Sequence, residues 1–444
     1  MTEVADNIDQ YLSHFEKFER LTGPGAWFVP VRKASMARFM ELGFPSTAHE
    51  DWRYTNVASI AEKIFSQPKT ANESGLASQI NALRVSAEVP LLVSINGWIS
   101  QRLSSAGKLP QGVRLGSLRE AIEQENPVVR SHLGKHARHM EHPLTALNTA
   151  LFEDGMFLEI GAGAIVERPV HIIHLVTPGS CPQMAHTRNL IVCGENSQCS
   201  VIETYMSEDT GEHFNNVVTE LVARDAAVVD YYKITREGDE TSHIGTLQLH
   251  QQRGSNVHAF FGTFGGGLVR HDINTVLDGE GCDCGLNGIY MVNGRQHVDN
   301  HLVVEHAKPH CDSREYFKGV LDGHGKGIFS GKIIVRPGAQ KTDAKQTNAS
   351  LLLSRDAQVE SKPQLEIFAD DVKCTHGATI GQMNEEAIFY LQSRGIDEHS
   401  ARGLLVFAFA NDVLERVRIE PLRHQLERIV VDRLPESYHV GEQG

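Results

Sequence analysis

The residues best equipped for chemistry lie in Asp370-Asp-Val-Lys-Cys-Thr-His376-Gly. If this stretch is a strand, as Leu365–Ala369 before it suggests, alternation sets Asp370, Val372, Cys374 and His376 on one face. A thiol and an imidazole two residues apart can share one soft or borderline metal, iron or zinc. Two ligands fall short of a complete iron–sulfur site, which usually takes four protein ligands. The others would come from distant loops or from a second chain. Taken alone, the Cys-x-His pattern fits more commonly a buried cysteine beside a hydrogen-bonded histidine, since cysteine is among the most buried residue types.

Other groups carry less. Cys282-Asp-Cys284 has the same spacing but lies in a glycine-rich turn, Gly279-Glu-Gly-Cys-Asp-Cys-Gly, with no second pair to complete a tetrahedral zinc site; a structural role is expected. His297, His301, His306 and His310 would be suggestive on a helix, but Val303 and Val304 imply a strand, which scatters them over different faces. Gly323-His-Gly-Lys-Gly lacks the lysine–hydroxyl ending of a phosphate loop, so no nucleotide site is expected on this chain. There is no G-x-S-x-G elbow, no H-E-x-x-H and no strand–G-x-G-x-x-G–helix unit, and Gly265-Gly-Gly continues a β pattern.

The elements that must position these residues fall into three parts: 1–150, mainly helical; 151–390, β-rich; and 391–444, helical. In the first, Ile8, Tyr11, Leu12 and Phe15 keep helical spacing, a second helix covers Lys33–Leu42, Leu91–Ile99 suits a short strand, and Ser117–Glu125 suits another helix. In the second, short β-branched runs such as His171–Val176, Val217–Val222 and Lys332–Val335 alternate with turns that resemble one another. Gly161-Ala-Gly-Ala-Ile-Val, Arg224-Asp-Ala-Ala-Val-Val, Arg253-Gly-Ser-Asn-Val-His and Pro337-Gly-Ala-Gln-Lys-Thr are four of them, and with Gly279 and Lys308 counted as turn starts several fall 26 to 29 residues apart. Strand–turn repeats without intervening helices indicate a solenoid, and a parallel β-helix fits better than a β-sandwich. In the third part, Gly395-Ile396-Asp397 supplies a break and an N-cap, after which Leu404, Leu405, Ala408 and Phe409 follow helical spacing. Pro421 opens a last helix whose stripe is Leu422, Leu426, Ile429, Val430 and Leu434. Two such helices either cap the solenoid or dock on a partner.

Composition sets outer limits. The chain of 444 residues is 41% hydrophobic and 22% charged, ordinary for a globular protein. A formal charge of −14 argues against nucleic acid or an anionic membrane as partner. No apolar run is long enough for a membrane span. Met1 to Gln10 is acidic and polar, so no secretory signal is expected, and seven cysteines without framework spacing suggest reduced thiols. Cytoplasm is the expected compartment.

Long blocks resemble the SufB/SufD family of iron–sulfur cluster assembly proteins. Gly338-Ala-Gln-Lys-Thr-Asp-Ala-Lys-Gln-Thr-Asn-Ala-Ser-Leu-Leu-Leu-Ser354 is similar to the shared SufB/SufD core, and Lys362 to Ala378, with its Lys-Cys-Thr-His-Gly, is similar to the SufD branch. Tyr316-Phe-Lys-Gly-Val320, Phe389-Tyr-Leu-Gln-Ser-Arg-Gly-Ile396 and Glu50-Asp-Trp-Arg-Tyr-Thr55 also match. The resemblance implies a right-handed parallel β-helix flanked by helical regions, with no turnover of its own. It implies pairing with SufB through the β-helix, binding of the SufC ATPase by the C-terminal helices, and a homodimer as one possible form of the isolated chain. Leu404, Leu405, Phe409, Leu422, Leu426 and Ile429 then become partner-binding residues. His376, with Cys374 as a weaker second, would hold iron or a transient iron–sulfur cluster shared with SufB; the motifs are silent on a flavin. The alternatives are a SufB paralogue, disfavoured because SufB carries a Glu-His-Glu-Ala run here, and a β-helix carbohydrate-active enzyme, disfavoured by the missing signal peptide.

Overall fold

The computed structural model describes residues 8–16, 26–68, 73, 75–137, 139–177, 179, 181–207, 211–435 and 438. Its body is a parallel β-solenoid of about eight coils, each contributing one strand to each of two sheets. Among the described residues one sheet has ten strands, from Leu91–Ile95 and its hairpin partner Trp98–Ile99 at one end to Lys373–Gln382 at the other. The opposing sheet has nine, from Val113–Ser117 to Gln358–Ile367. Apart from the two antiparallel pairings at the start, every ladder among the described residues is parallel, and from Met156–Ile160 onward each strand pairs with the strand two places further along the chain. Strands from the first hundred and twenty or so residues thus seed both sheets.

Stacked register explains the sequence repeat. Asn256 sits beside Asp283, Asp283 beside Asp312 and Asp312 beside Asp343, so coils run 27 to 31 residues. At one corner of successive coils the backbone turns through the left-handed region at Gly163, Asn196, Ala226, Gly254, Gly281, His310 and Lys341. Each of these residues donates its N–H to the next coil, as in Ala226 to the Arg253 carbonyl and His310 to that of Gln340. That conformation costs a residue bearing a Cβ about 1 kcal/mol or more, and the inter-coil bond offsets it. His310 is therefore a corner residue. Gly265–Gly267, expected to continue a strand, instead form the turn between Asn256–Thr263 and Leu268–Leu277. A Cβ at Gly267 would come within 2.0 Å of the Asp239 carbonyl oxygen, so backbone packing dictates glycine there.

Inward-facing Leu, Ile, Val, Phe and Cys side chains from both sheets form the largest core, running from Leu92 to Phe329. Cys282, Cys284 and Cys311 are buried in it, consistent with a structural role for Cys282-Asp-Cys284. The helical parts cover the outer faces of the sheets. Residues 8–16, Val29–Leu42 and Pro143–Leu151 are helical and lie on the nine-stranded sheet through Met184, Phe214 and Ile244. There the buried Arg188 donates to Glu220, which also accepts N–H bonds from Gly134, His136 and Ala137. The helices Glu398–Leu414 and Glu420–Asp432 lie on the ten-stranded sheet, packing Val406, Ala410, Val413, Leu422, Leu426 and Val430 on Ile202, Tyr232, Phe260 and Ile289. Asp397 caps the first of these helices by accepting from the Ser400 N–H, and Pro421 stands at the start of the second. They neither close the end of the solenoid nor stand free of it.

Candidate functional site

Among the described residues, the solenoid ends on two uncovered edge strands. Lys373–Gln382 closes the ten-stranded sheet and Gln358–Ile367 the nine-stranded one, and each pairs on one side only. Most of Lys373–Gln382 is exposed, and Ile367, Phe368 and Ile380 are 40%, 57% and 48% exposed. Free edges with apolar side chains invite pairing with another chain, and monomeric proteins normally blunt them.

Cys374 and His376 sit on this last strand. The strand begins at Lys373, so Asp370 and Val372, expected on the same strand face, belong to the preceding turn. Cys374 pairs with Ala344, His376 with Gln346, and their side chains share the inward face, some 7 Å apart along the strand. Cys374 is half-buried against Ala344, Leu365 and Val372, and that burial raises its thiol pKa. His376 is exposed and makes no hydrogen bond to a described residue. The two thus stand at the mouth of the open core. Among the described residues no three His, Cys, Asp or Glu side chains are grouped to hold a metal ion.

Behind His376 lies a polar pair that escaped the sequence reading. Gln346 and Glu315 occupy the same inward row one and two coils back, at 1% and 2% exposure. Gln346 Nε2 donates to Glu315 Oε2 at 2.6 Å, and burial pushes the Glu315 carboxyl up to about 8. Room for the carboxamide comes from the facing sheet, where a Cβ on Gly331 would meet Gln346 Nε2 at 2.0 Å. Strand alternation could have found the pair once the register was known.

The histidine series divides as its strand geometry requires. His306 is buried and inward, bonded to the Ser313 hydroxyl at 2.9 Å; His297 meets the Thr55 hydroxyl at 3.0 Å; His301 faces outward. The residues expected to bind a partner separate by burial. Leu422, Leu426 and Ile429 are buried against the solenoid, and Phe409 is half-buried under the Lys318 ammonium, 4.4 Å from its ring. Lys318 also pairs with Asp412 at 2.6 Å, tying the helix to the sheet. Leu405 is half-buried, while Leu404 is exposed, as are Phe389 (71%) and Tyr390 (57%) on the helix Glu385–Ser393.

The family described as SUF system FeS cluster assembly, SufBD core domain, matches residues 175–409, and the SufBD protein N-terminal region matches 5–172. An iron–sulfur cluster assembly SufBD family protein of Synechocystis sp. is 29% identical over 95% of both chains. The iron–sulfur cluster assembly protein SufD of Escherichia coli is 29% identical over 91% of this chain and 93% of its own. SufD of Bacillus subtilis is 25% identical over 96% and 97%. Among the described residues no helix is long and apolar enough to cross a membrane. With the core family covering more than half of its length, the chain belongs to the SufBD family of iron–sulfur cluster assembly proteins, and within that family it is SufD-like.

Proposed function

We propose that this chain is a non-catalytic scaffold subunit on which iron–sulfur clusters are assembled in the cytoplasm. It pairs with a SufB-type chain through the open end of the solenoid and binds a SufC-type ATPase through its C-terminal helices. His376, with Cys374 in support, contributes to a cluster-building site at the junction, where iron and sulfide are the cargo and the partner supplies the remaining ligands.

The observation that carries this reading is the pair of uncovered edge strands with Cys374 and His376 at the open core. Two ligands at an exposed edge suit a site that two chains complete. An imidazole there can hold iron or pass a proton as sulfide arrives. For the ATPase, Phe389, Tyr390 and Leu404 support docking, because exposed aromatic and aliphatic anchors on helices are common at interfaces. Co-expression with SufB-type and SufC-type partners, followed by affinity purification of this chain, tests the assignment. Recovery of both partners, with ATPase activity following the SufC-type chain alone, is the expected result. ATP hydrolysis that stays with this polypeptide through successive columns would overturn the non-catalytic role.

A further inference from the structure

One inward row of the ten-stranded sheet passes in register through Val201, Tyr231, Ala259, Leu286, Glu315, Gln346 and His376. It is mostly apolar until its last three members. A leucine, as at position 286, would fill positions 315 and 346 without the cost of burying polar groups. The chain instead carries an acid and a carboxamide, bonds them at 2.6 Å, and keeps a glycine opposite to admit them. Gln346 Oε1 and Glu315 Oε1 are buried and have no hydrogen-bond partner among the described residues. The residue next to Gln346 on the open side is His376, about 4.8 Å away across the ladder.

We infer that Gln346 is a positioning residue for His376, its carboxamide oxygen accepting an imidazole N–H once the end of the solenoid is covered, with Glu315 fixing the carboxamide. The assignment rests on His376 acting at the junction. It gives the unpartnered Oε1 of Gln346 an occupant and selects one tautomer, leaving the second ring nitrogen free for the cargo. Groups that orient a metal-binding imidazole in this way commonly change affinity or activity 10- to 100-fold when removed.

The test compares Gln346→Leu, Glu315→Leu, the two combined, Glu315→Gln and His376→Ala in the co-expressed complex. Complex yield, iron and acid-labile sulfide are read together with the thermal midpoint of each isolated chain. Replacing both partners, in Gln346→Leu/Glu315→Leu, should leave yield and thermal midpoint equal to or above wild type; Gln346→Leu alone strands the buried Glu315 carboxyl and should lower the midpoint while the complex still forms. Cluster content in Gln346→Leu should fall about tenfold. Glu315→Leu should lower cluster content in the same direction. Glu315→Gln retains an acceptor for the Gln346 N–H and should keep it within about twofold of wild type. Full cluster content in Gln346→Leu, with loss in His376→Ala, would overturn the positioning role and leave the scaffold reading standing. Full content in His376→Ala as well would instead remove the reading beneath it. An absent complex in both single leucine variants, or a lowered midpoint in the doubly substituted chain, would assign the pair to folding, and that too overturns the inference.

Discussion

Replacing Glu315 by glutamine should stabilise the protein, and by an amount that depends on pH. The carboxyl is 2% exposed, and burial raises its pKa from 4.5 to about 8. Between those values the folded chain holds a proton that the unfolded chain has released. Stability is therefore complete below about pH 4.5 and is lost as pH rises through 8. The slope is up to about 1.4 kcal/mol per pH unit. Glutamine keeps the acceptor for Gln346 Nε2 and has no charge to bury. The advantage of Glu315→Gln over wild type should grow by roughly 3 kcal/mol between pH 5.5 and pH 8. Urea unfolding of both isolated chains at several pH values in that range measures the gap. A gap that stays constant with pH, or a variant less stable than wild type at pH 8, would refute the claim that Glu315 is held neutral by burial.

Other perturbations separate the roles of the remaining parts. Ile380→Lys places a charge on the exposed edge strand; it should abolish pairing through that end, read by light scattering and co-purification, while circular dichroism stays unchanged. Leu404→Asp should cost ATPase co-purification with little change in stability, whereas Leu426→Ala, fully buried against the solenoid, should destabilise by about 2–5 kcal/mol. Arg188→Ala strands the Glu220 charge in the seam beneath the N-terminal helices and should cost about 3–5 kcal/mol by denaturant titration.

The solenoid was legible because each coil must repeat a corner, and the recurring turns at Arg224, Arg253 and Pro337 mark it. The corner conformation itself was hidden, because Asn196, Ala226, His310 and Lys341 adopt a left-handed backbone that inter-coil hydrogen bonds impose and residue type does not advertise. Amphipathic stripes in the last two helices were equally plain, but a stripe does not say what covers it. Leu422, Leu426 and Ile429 pack in one cluster with Tyr232 and Phe260, residues more than 160 positions earlier, so only the fold reveals that this face is occupied within the chain. Alternation paired Cys374 with His376 correctly. Glu315 and Gln346 stayed out of view because a partner one coil away is defined by register, which no local pattern contains.

His376→Ala in the co-expressed complex tests the central claim most directly. One exposed imidazole contributes little to an interface of ~1,600 Å², so complex yield should match wild type. Iron and acid-labile sulfide in the purified complex should collapse, and Cys374→Ser should lower them less. Wild-type cluster content in an intact His376→Ala complex would contradict the account, leaving the open end of the solenoid as an interface and nothing more.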